Sequence, residues 1–171
     1  MDPTRQVQLL LSNPIFKGLT PVDAKALFRA GQVESHGGGE KLFSQGDDAD
    51  GLYLVLGGSF QVVVESSDGM RTVLAHINPG EVVGDVALLR AGNRSATLIA
   101  AEESVVWRLP AVVFEGLLER GDPIASRILD GIGRDLCRRF REVVYEGALL
   151  MGRLAPKSAR RIHDAALEWE L

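Results

Sequence analysis

Glycines at positions 39, 46, 58, 69, 80 and 92 punctuate the middle of the chain roughly every 8–12 residues. Between them lie EKLFS, GLYLVLG, SFQVVVE, RTVLAHI, ATLIAAE and SVVWRLP, short runs rich in Val, Ile, Leu and aromatic residues. Helices of ordinary length cannot fit between breakers set so closely, whereas strands of four to seven residues can. Residues 31–109 therefore predict an all-β barrel or sandwich. The stretch SSDGM at 66–70 supplies a hairpin turn, because Asp-Gly tolerates the positive φ angles that tight hairpins require. HGGGE at 36–40 reads as a turn between strands. The only helix-like interruption is DVALL at 85–89.

The flanks read as helix. In residues 1–30, QVQLLL forms an amphipathic turn or two, and NPIFKGL is a turn with Ile15, Phe16 and Leu19 as apolar anchors. TPVDAKALFRA then opens with Thr20 as cap, Pro21 at the first helical position and Asp23 in the first turn. After residue 110, PAVVFEGLLER predicts one helix, and a Gly-Asp-Pro break precedes a longer one. In that longer helix Ile124, Ile128, Ile132, Leu136, Phe140 and Val143 recur at steps of three or four, forming an apolar stripe. Gly131 and Gly133 weaken it by about 1 kcal/mol each relative to alanine. Glycine there lets another backbone come close. SARRIHDAALEWEL suggests one more short amphipathic helix at the end.

Composition removes several functional classes. A chain of 171 residues, 46% hydrophobic and 25% charged, is long enough for one domain with a real core. Its net charge of −4 gives no general attraction to nucleic acid. Charged residues interrupt every apolar run before membrane-spanning length, and MDPTRQVQLLL lacks a signal-peptide cleavage site. The single cysteine, Cys137, forms no internal disulfide, in keeping with a cytoplasmic protein. His36, His76 and His163 do not pair at metal-ligand spacing, so no metal site is expected. No nucleophile elbow, Walker or dinucleotide fingerprint occurs, and no catalytic residues are assigned. The expectation is a protein that is not an enzyme and carries no cofactor.

One stretch remains, VVGDVALLRAGNRSATLIA at 82–100. Gly84 lets backbone approach a ligand closely. Val86, Ala87 and Leu88 offer N–H groups at the start of a short helix, where an anion is favoured. Arg94 brings a forked, permanent positive charge, and Ser95 beside it a hydroxyl donor. Asp85 would repel a phosphate and so faces a hydroxyl. A phosphate beside a ribose hydroxyl satisfies the whole set. The plainer alternatives are Asp85 as the cap of the short helix, Arg94 as an ordinary surface arginine, and the arginine run at 134–141 as a solvated helix face.

Gly84-Asp85-Val86-Ala87-Leu88-Leu89 followed by Arg94-Ser95-Ala96-Thr97 resembles the phosphate-binding cassette of the cyclic nucleotide-binding domain family. The likeness extends over about residues 13–140, through PIFKGLTPVDAKAL and GGEKLFSQGDDADGLYLVLGGSFQV to the terminal helices. It implies a mainly β fold with flanking helices. The core is an antiparallel double-stranded β-helix or jelly-roll barrel, with N-terminal helices, an internal cassette helix and a long C-terminal helix. It also implies that Arg94 pairs with a cyclic phosphate, with Ser95 on the same phosphate or on a guanine edge. The Val86 and Ala87 backbone caps the phosphate, and Asp85 replaces the glutamate that accepts the ribose 2′-hydroxyl. Asp85 is one methylene shorter than that glutamate. Arg138-Arg139-Phe140 stands near where some relatives set hydroxyl residues against the base.

The expected organisation is a helical lead-in at 1–30 and a nucleotide-binding core at 31–109. A hinge and dimerisation helix at 110–150 and a tail at 151–171 complete it. The expected function is a regulatory sensor with cAMP, ahead of cGMP, as ligand. It would form a homodimer through residues 123–148 and signal through an unidentified protein partner, without membrane contact. Transcription factors of this family carry a helix-turn-helix domain after the long helix. The roughly twenty residues after that helix are too few for one, so direct DNA binding is not expected. The competing readings are a nucleotide-free interaction or dimerisation module of the same fold, and a binder of another nucleotide such as cyclic di-GMP.

Overall fold

The computed structural model describes residues 2–154; the expected helix over SARRIHDAALEWEL lies outside them. Two compact units are distinguished, Met1–Ile132 and Gly133–Leu171. In the first, helix α1 (Pro3–Ser12), a 3-10 helix (Pro14–Phe16) and helix α2 (Pro21–Ala30) lead into the sheets. Thr20 caps α2 in a reciprocal box. Its hydroxyl accepts from Asp23 N–H, while its own N–H donates to the Asp23 carboxylate at 3.0 Å.

Eight strands follow: β1 (Gln32–His36), β2 (Lys41–Phe43), β3 (Gly51–Gly57), β4 (Phe60–Glu65), β5 (Arg71–Ile77), β6 (Val82–Val83), β7 (Thr97–Ala100) and β8 (Ser104–Pro110). They form two four-stranded sheets, ordered β1-β8-β3-β6 and β2-β7-β4-β5, with every pairing antiparallel. The two sheets stay separate and do not join into a closed ring. GLYLVLG, RTVLAHI and SVVWRLP coincide with β3, β5 and β8. The structure adds β1 and β6, which the run of apolar segments did not announce.

Strand β3 is apolar along almost its whole length because both of its faces are covered. Tyr53 and Val55 point between the sheets and join Phe60, Leu98, Ala100 and Val106 there. On the alternate face Leu52 and Leu54 sit opposite Leu109 and Trp107 of β8. Trp107 packs edge-on to Phe16, stacks on Phe28 and donates its indole N–H to the Phe28 carbonyl at 2.9 Å. Helix α3 (Ala111–Glu119) adds Phe114 and Leu117 to the buried set.

Helix α4 (Pro123–Leu154) carries the expected stripe, but its ends differ. Ile124, Ile128 and Ile132 are buried, whereas Phe140 is 54% exposed and Val143 67% exposed. Gly131 is the close approach that glycine allows, for a Cβ there would overlap the Ile15 carbonyl oxygen and lie 2.7 Å from its carbon. Gly133 faces open space. Within the second unit Arg138 pairs with Asp135 at 2.7 Å and Glu142 at 2.8 Å, and Arg139 with Asp135 at 3.0 Å. These are neighbours one turn apart on one helix, the pattern of a solvated face.

Candidate functional site

The segment after β6 turns sharply. Gly84 holds φ at 75° and opens a single 3-10 turn, Asp85–Leu88. Gly84 itself occupies the cap position, and no side chain caps the turn. Asp85 sits in the first turn instead, only 5% exposed. The capping alternative for Asp85 is thus not what the chain adopts. The Ala87 N–H donates to the Gly84 carbonyl at 3.1 Å, so the turn itself takes up that amide. Val86 is exposed on the same turn.

Arg94 enters from the other arm of the cassette. Its backbone is zipped to the β2–β3 connection: Arg94 N–H donates to the Asp47 carbonyl at 2.8 Å, and Gly46 N–H to the Arg94 carbonyl at 2.9 Å. Asn93 Nδ2 donates to the Gly46 carbonyl at 2.7 Å, and Ala49 N–H to the Gly92 carbonyl at 2.8 Å. These bonds fix where the arginine side chain starts. Ser95, its neighbour, is exposed.

The Arg94 side chain runs inward and is no surface arginine: the residue is 5% exposed. Nη2 donates to Asp50 Oδ1 at 2.8 Å and to the Gly51 carbonyl at 2.9 Å. The guanidinium carbon lies 4.2 Å from the centre of the Phe43 ring and 5.4 Å from that of Tyr53, within cation–π range. Its Nε is buried without a hydrogen-bond partner. Nη1 lies directly against Gly84, where a Cβ would collide with it and approach the Gly51 carbonyl oxygen to 2.9 Å. Gly84 is therefore required twice, by its positive φ and by the arginine beside it. An arginine this deep costs several kcal/mol to desolvate unless its donors are met. Here one end of the fork is met by protein and Nε is left open. That open donor belongs to a permanent cation, so the group it favours is an anion.

Sequence reasoning placed Gly84, Asp85 and Arg94 in one place, and the structure brings Gly84 and Arg94 together. It missed the supporting residues. Asp50, Tyr53, Phe43 and Arg108 come from strands and turns far from the cassette. Arg94 and Asp50 are 44 residues apart, Arg108 and Asp50 58. The Tyr53 hydroxyl lies 3.3 Å from Asp50 Oδ1. Burial raises its phenol above the usual 10.0, so it remains an O–H donor at neutral pH. Among the described residues no group of three or more His, Cys, Asp or Glu side chains is placed to hold a metal ion, and no helix is long and apolar enough to cross a membrane.

The cyclic nucleotide-binding domain family matches residues 33–121. The cyclic AMP receptor protein of Thermus thermophilus is 32% identical over 138 residues, 81% of this chain and 62% of that protein. Lysophospholipase nte1 of Aspergillus oryzae is 30% identical over 106 residues, only 7% of that enzyme's length. Among solved structures, the Thermus thermophilus catabolite activator protein superposes with a TM-score of 0.72 at 30% identity, covering 81% of this chain and 63% of that one. The N-terminal domain of a transcriptional regulator from Streptomyces coelicolor A3(2) gives 0.70 at 28% identity, covering 77% and 94%. The chain thus spans less than two thirds of the first of these relatives and a small fraction of the lysophospholipase.

Proposed function

The chain belongs to the cyclic nucleotide-binding domain family, a regulatory fold, and from that premise we propose that it is a sensor of a cyclic mononucleotide, cAMP ahead of cGMP. The observation that carries the reading is the buried guanidinium of Arg94, which packs against Gly84 and whose Nε has no protein partner. In this reading the cyclic phosphate takes the Arg94 Nε–H, with the Ser95 hydroxyl and the Val86 backbone alongside. Asp85 accepts from the ribose 2′-hydroxyl, directly or through water. The Ala87 amide contributes only if the turn opens.

Arg94 is also tied to what lies downstream. Its partner residue Asp50 accepts, through its backbone carbonyl, the N–H of Ala111 at 2.9 Å, the first residue of α3. A phosphate that draws Arg94 toward the cassette biases that junction, shifting a two-state equilibrium by its differential affinity. The output we propose is a homodimer through the exposed apolar residues of α4, Phe140, Val143, Leu149 and Leu150 among them, together with a protein partner. The Arg138 and Arg139 charges are balanced on their own helix, which weighs against a cyclic dinucleotide bound by them.

Thermal shift of the purified protein with cAMP, cGMP and cyclic di-GMP tests this reading. A ligand at about 100 times its dissociation constant adds about 2.7 kcal/mol of stability. Stabilisation by cAMP or cGMP supports the sensor. No shift with any of the three at millimolar concentration moves the chain to a nucleotide-free interaction module, and a shift with cyclic di-GMP alone moves it to that ligand.

A further inference from the structure

Asp50 is shared. While its Oδ1 accepts from Arg94, its Oδ2 accepts from Arg108 Nη2, on β8. The Tyr53 ring lies under both cations, 5.4 Å from the Arg94 guanidinium carbon and 5.8 Å from that of Arg108. Beyond Arg108, Glu34 Oε1 stands 3.7 Å from Nη1. The four side chains form a run of contacts of alternating sign, Glu34, Arg108, Asp50, Arg94, of which only Arg94 is deeply buried. At its inner end the Arg94 side chain is 3% exposed, whereas Asp50 is half exposed.

The order has an electrostatic consequence. A carboxylate held by Arg94 alone would cancel much of that arginine's charge where an anion must bind. Arg94 and the Tyr53 hydroxyl both hold Oδ1, so without a further partner Oδ2 would be free to swing, the group being half in water. A second arginine on the other carboxylate oxygen draws part of that charge away and fixes the plane of the group. Backbone pairing already joins Tyr53 and Arg108 across β3 and β8, so the strands do not need this side-chain pair to find their register.

We propose that Arg108 is a positioning residue for the anion-binding arginine: by holding one oxygen of Asp50 it orients Arg94 and leaves its charge available to a ligand phosphate. The proposal rests on the reading of the cassette given above, and it concerns a residue outside that cassette.

Calorimetric titration with cAMP of five proteins tests it: wild type, Arg108→Met, Arg108→Lys, Asp50→Asn and the double variant Arg108→Met/Asp50→Asn. Arg108→Met should weaken binding about fivefold or more. Arg108→Lys, which keeps the charge, should stay within about threefold of wild type. In the Asp50→Asn background the Arg108→Met effect should fall below about twofold, since the carboxylate through which it acts is gone. The Arg94 Nε–H resonance of the ligand-free protein gives a second readout, moved by Arg108→Met and restored by Arg108→Lys. A merely structural pair would lower the melting temperature and leave affinity and resonance unmoved. An unchanged affinity in Arg108→Met, or an equal loss in both backgrounds, overturns the inference while the cassette reading stands. Absence of binding by wild type overturns the cassette reading; in that case an unmoved resonance overturns the positioning role as well, and a moved one upholds it.

Discussion

Replacing Gly84 by alanine is the smallest change that should break the site. The backbone there has φ of 75°, a conformation that costs an L-residue about 1 kcal/mol or more. The added methyl also lands on Arg94 Nη1 and comes within 2.9 Å of the Gly51 carbonyl oxygen, a backbone atom that cannot step aside. Overpacking of this kind costs typically 1–3 kcal/mol. Together the two terms give about 2–4 kcal/mol, or roughly 8–16 °C in melting temperature for a unit of this size. Arg94 must leave its place to admit the methyl, so cyclic nucleotide affinity should fall with stability. Thermal melts followed by circular dichroism measure the first effect and calorimetry at low temperature the second. Gly92→Ala is the control, because a Cβ there meets nothing within 4 Å and its φ is not positive; it should stay within about 0.5 kcal/mol of wild type. A Gly84→Ala protein that melts within about 2 °C of wild type and binds nucleotide normally would refute the packing argument.

Two glycines of α4 should respond with opposite sign. Gly133→Ala gains about 0.5–1 kcal/mol of helix propensity, whereas Gly131→Ala loses about 1–3 kcal/mol against the Ile15 carbonyl, both read from urea unfolding. Asp23 should titrate below 3.8, because the Thr20 hydroxyl and backbone N–H favour its ionised form, with Arg127 adding to this. The stability it contributes is complete above the unfolded value and is lost as pH falls through the folded one; Thr20→Val should raise the Asp23 midpoint in an NMR titration. Asp85→Glu should tighten cAMP binding by about tenfold if the longer carboxylate reaches the ribose, and Asp85→Ala should weaken it less than removal of Arg94 does. Loss of stability without gain in affinity on Asp85→Glu would count against the ribose contact.

The parts of this structure that local sequence encodes were legible. Glycine spacing and β-branched runs marked β3, β5 and β8, and β3, covered on both faces, is apolar almost throughout. The Thr20-Pro21-Asp23 box marked the start of α2 to the residue. Strand β1, QVESH, was hidden because it lies at a sheet edge and carries a single apolar residue, Val33; only pairing with β8 makes it a strand. Strand β6 has two residues and no pattern to read. The cassette was legible because its residues are nearly contiguous. Its support was not, for nothing near Arg94 announces an aspartate 44 positions away. Arg94 also proved more deeply set than a ligand-facing side chain need be. Arg94→Leu therefore leaves the Gly51 carbonyl without its Arg94 donor and should lower stability by about 1–3 kcal/mol, besides weakening ligand binding.

The direct test of the account is calorimetric titration of wild type and Arg94→Leu with cAMP and cGMP, the variant held at a temperature where circular dichroism shows it folded. The account predicts that wild type binds one nucleotide per chain. It predicts that Arg94→Leu binds at least about thirtyfold more weakly, having lost a desolvated charged pair of roughly 2–5 kcal/mol. Equal affinity in the two proteins, or no binding of either nucleotide to wild type at millimolar concentration, would contradict it.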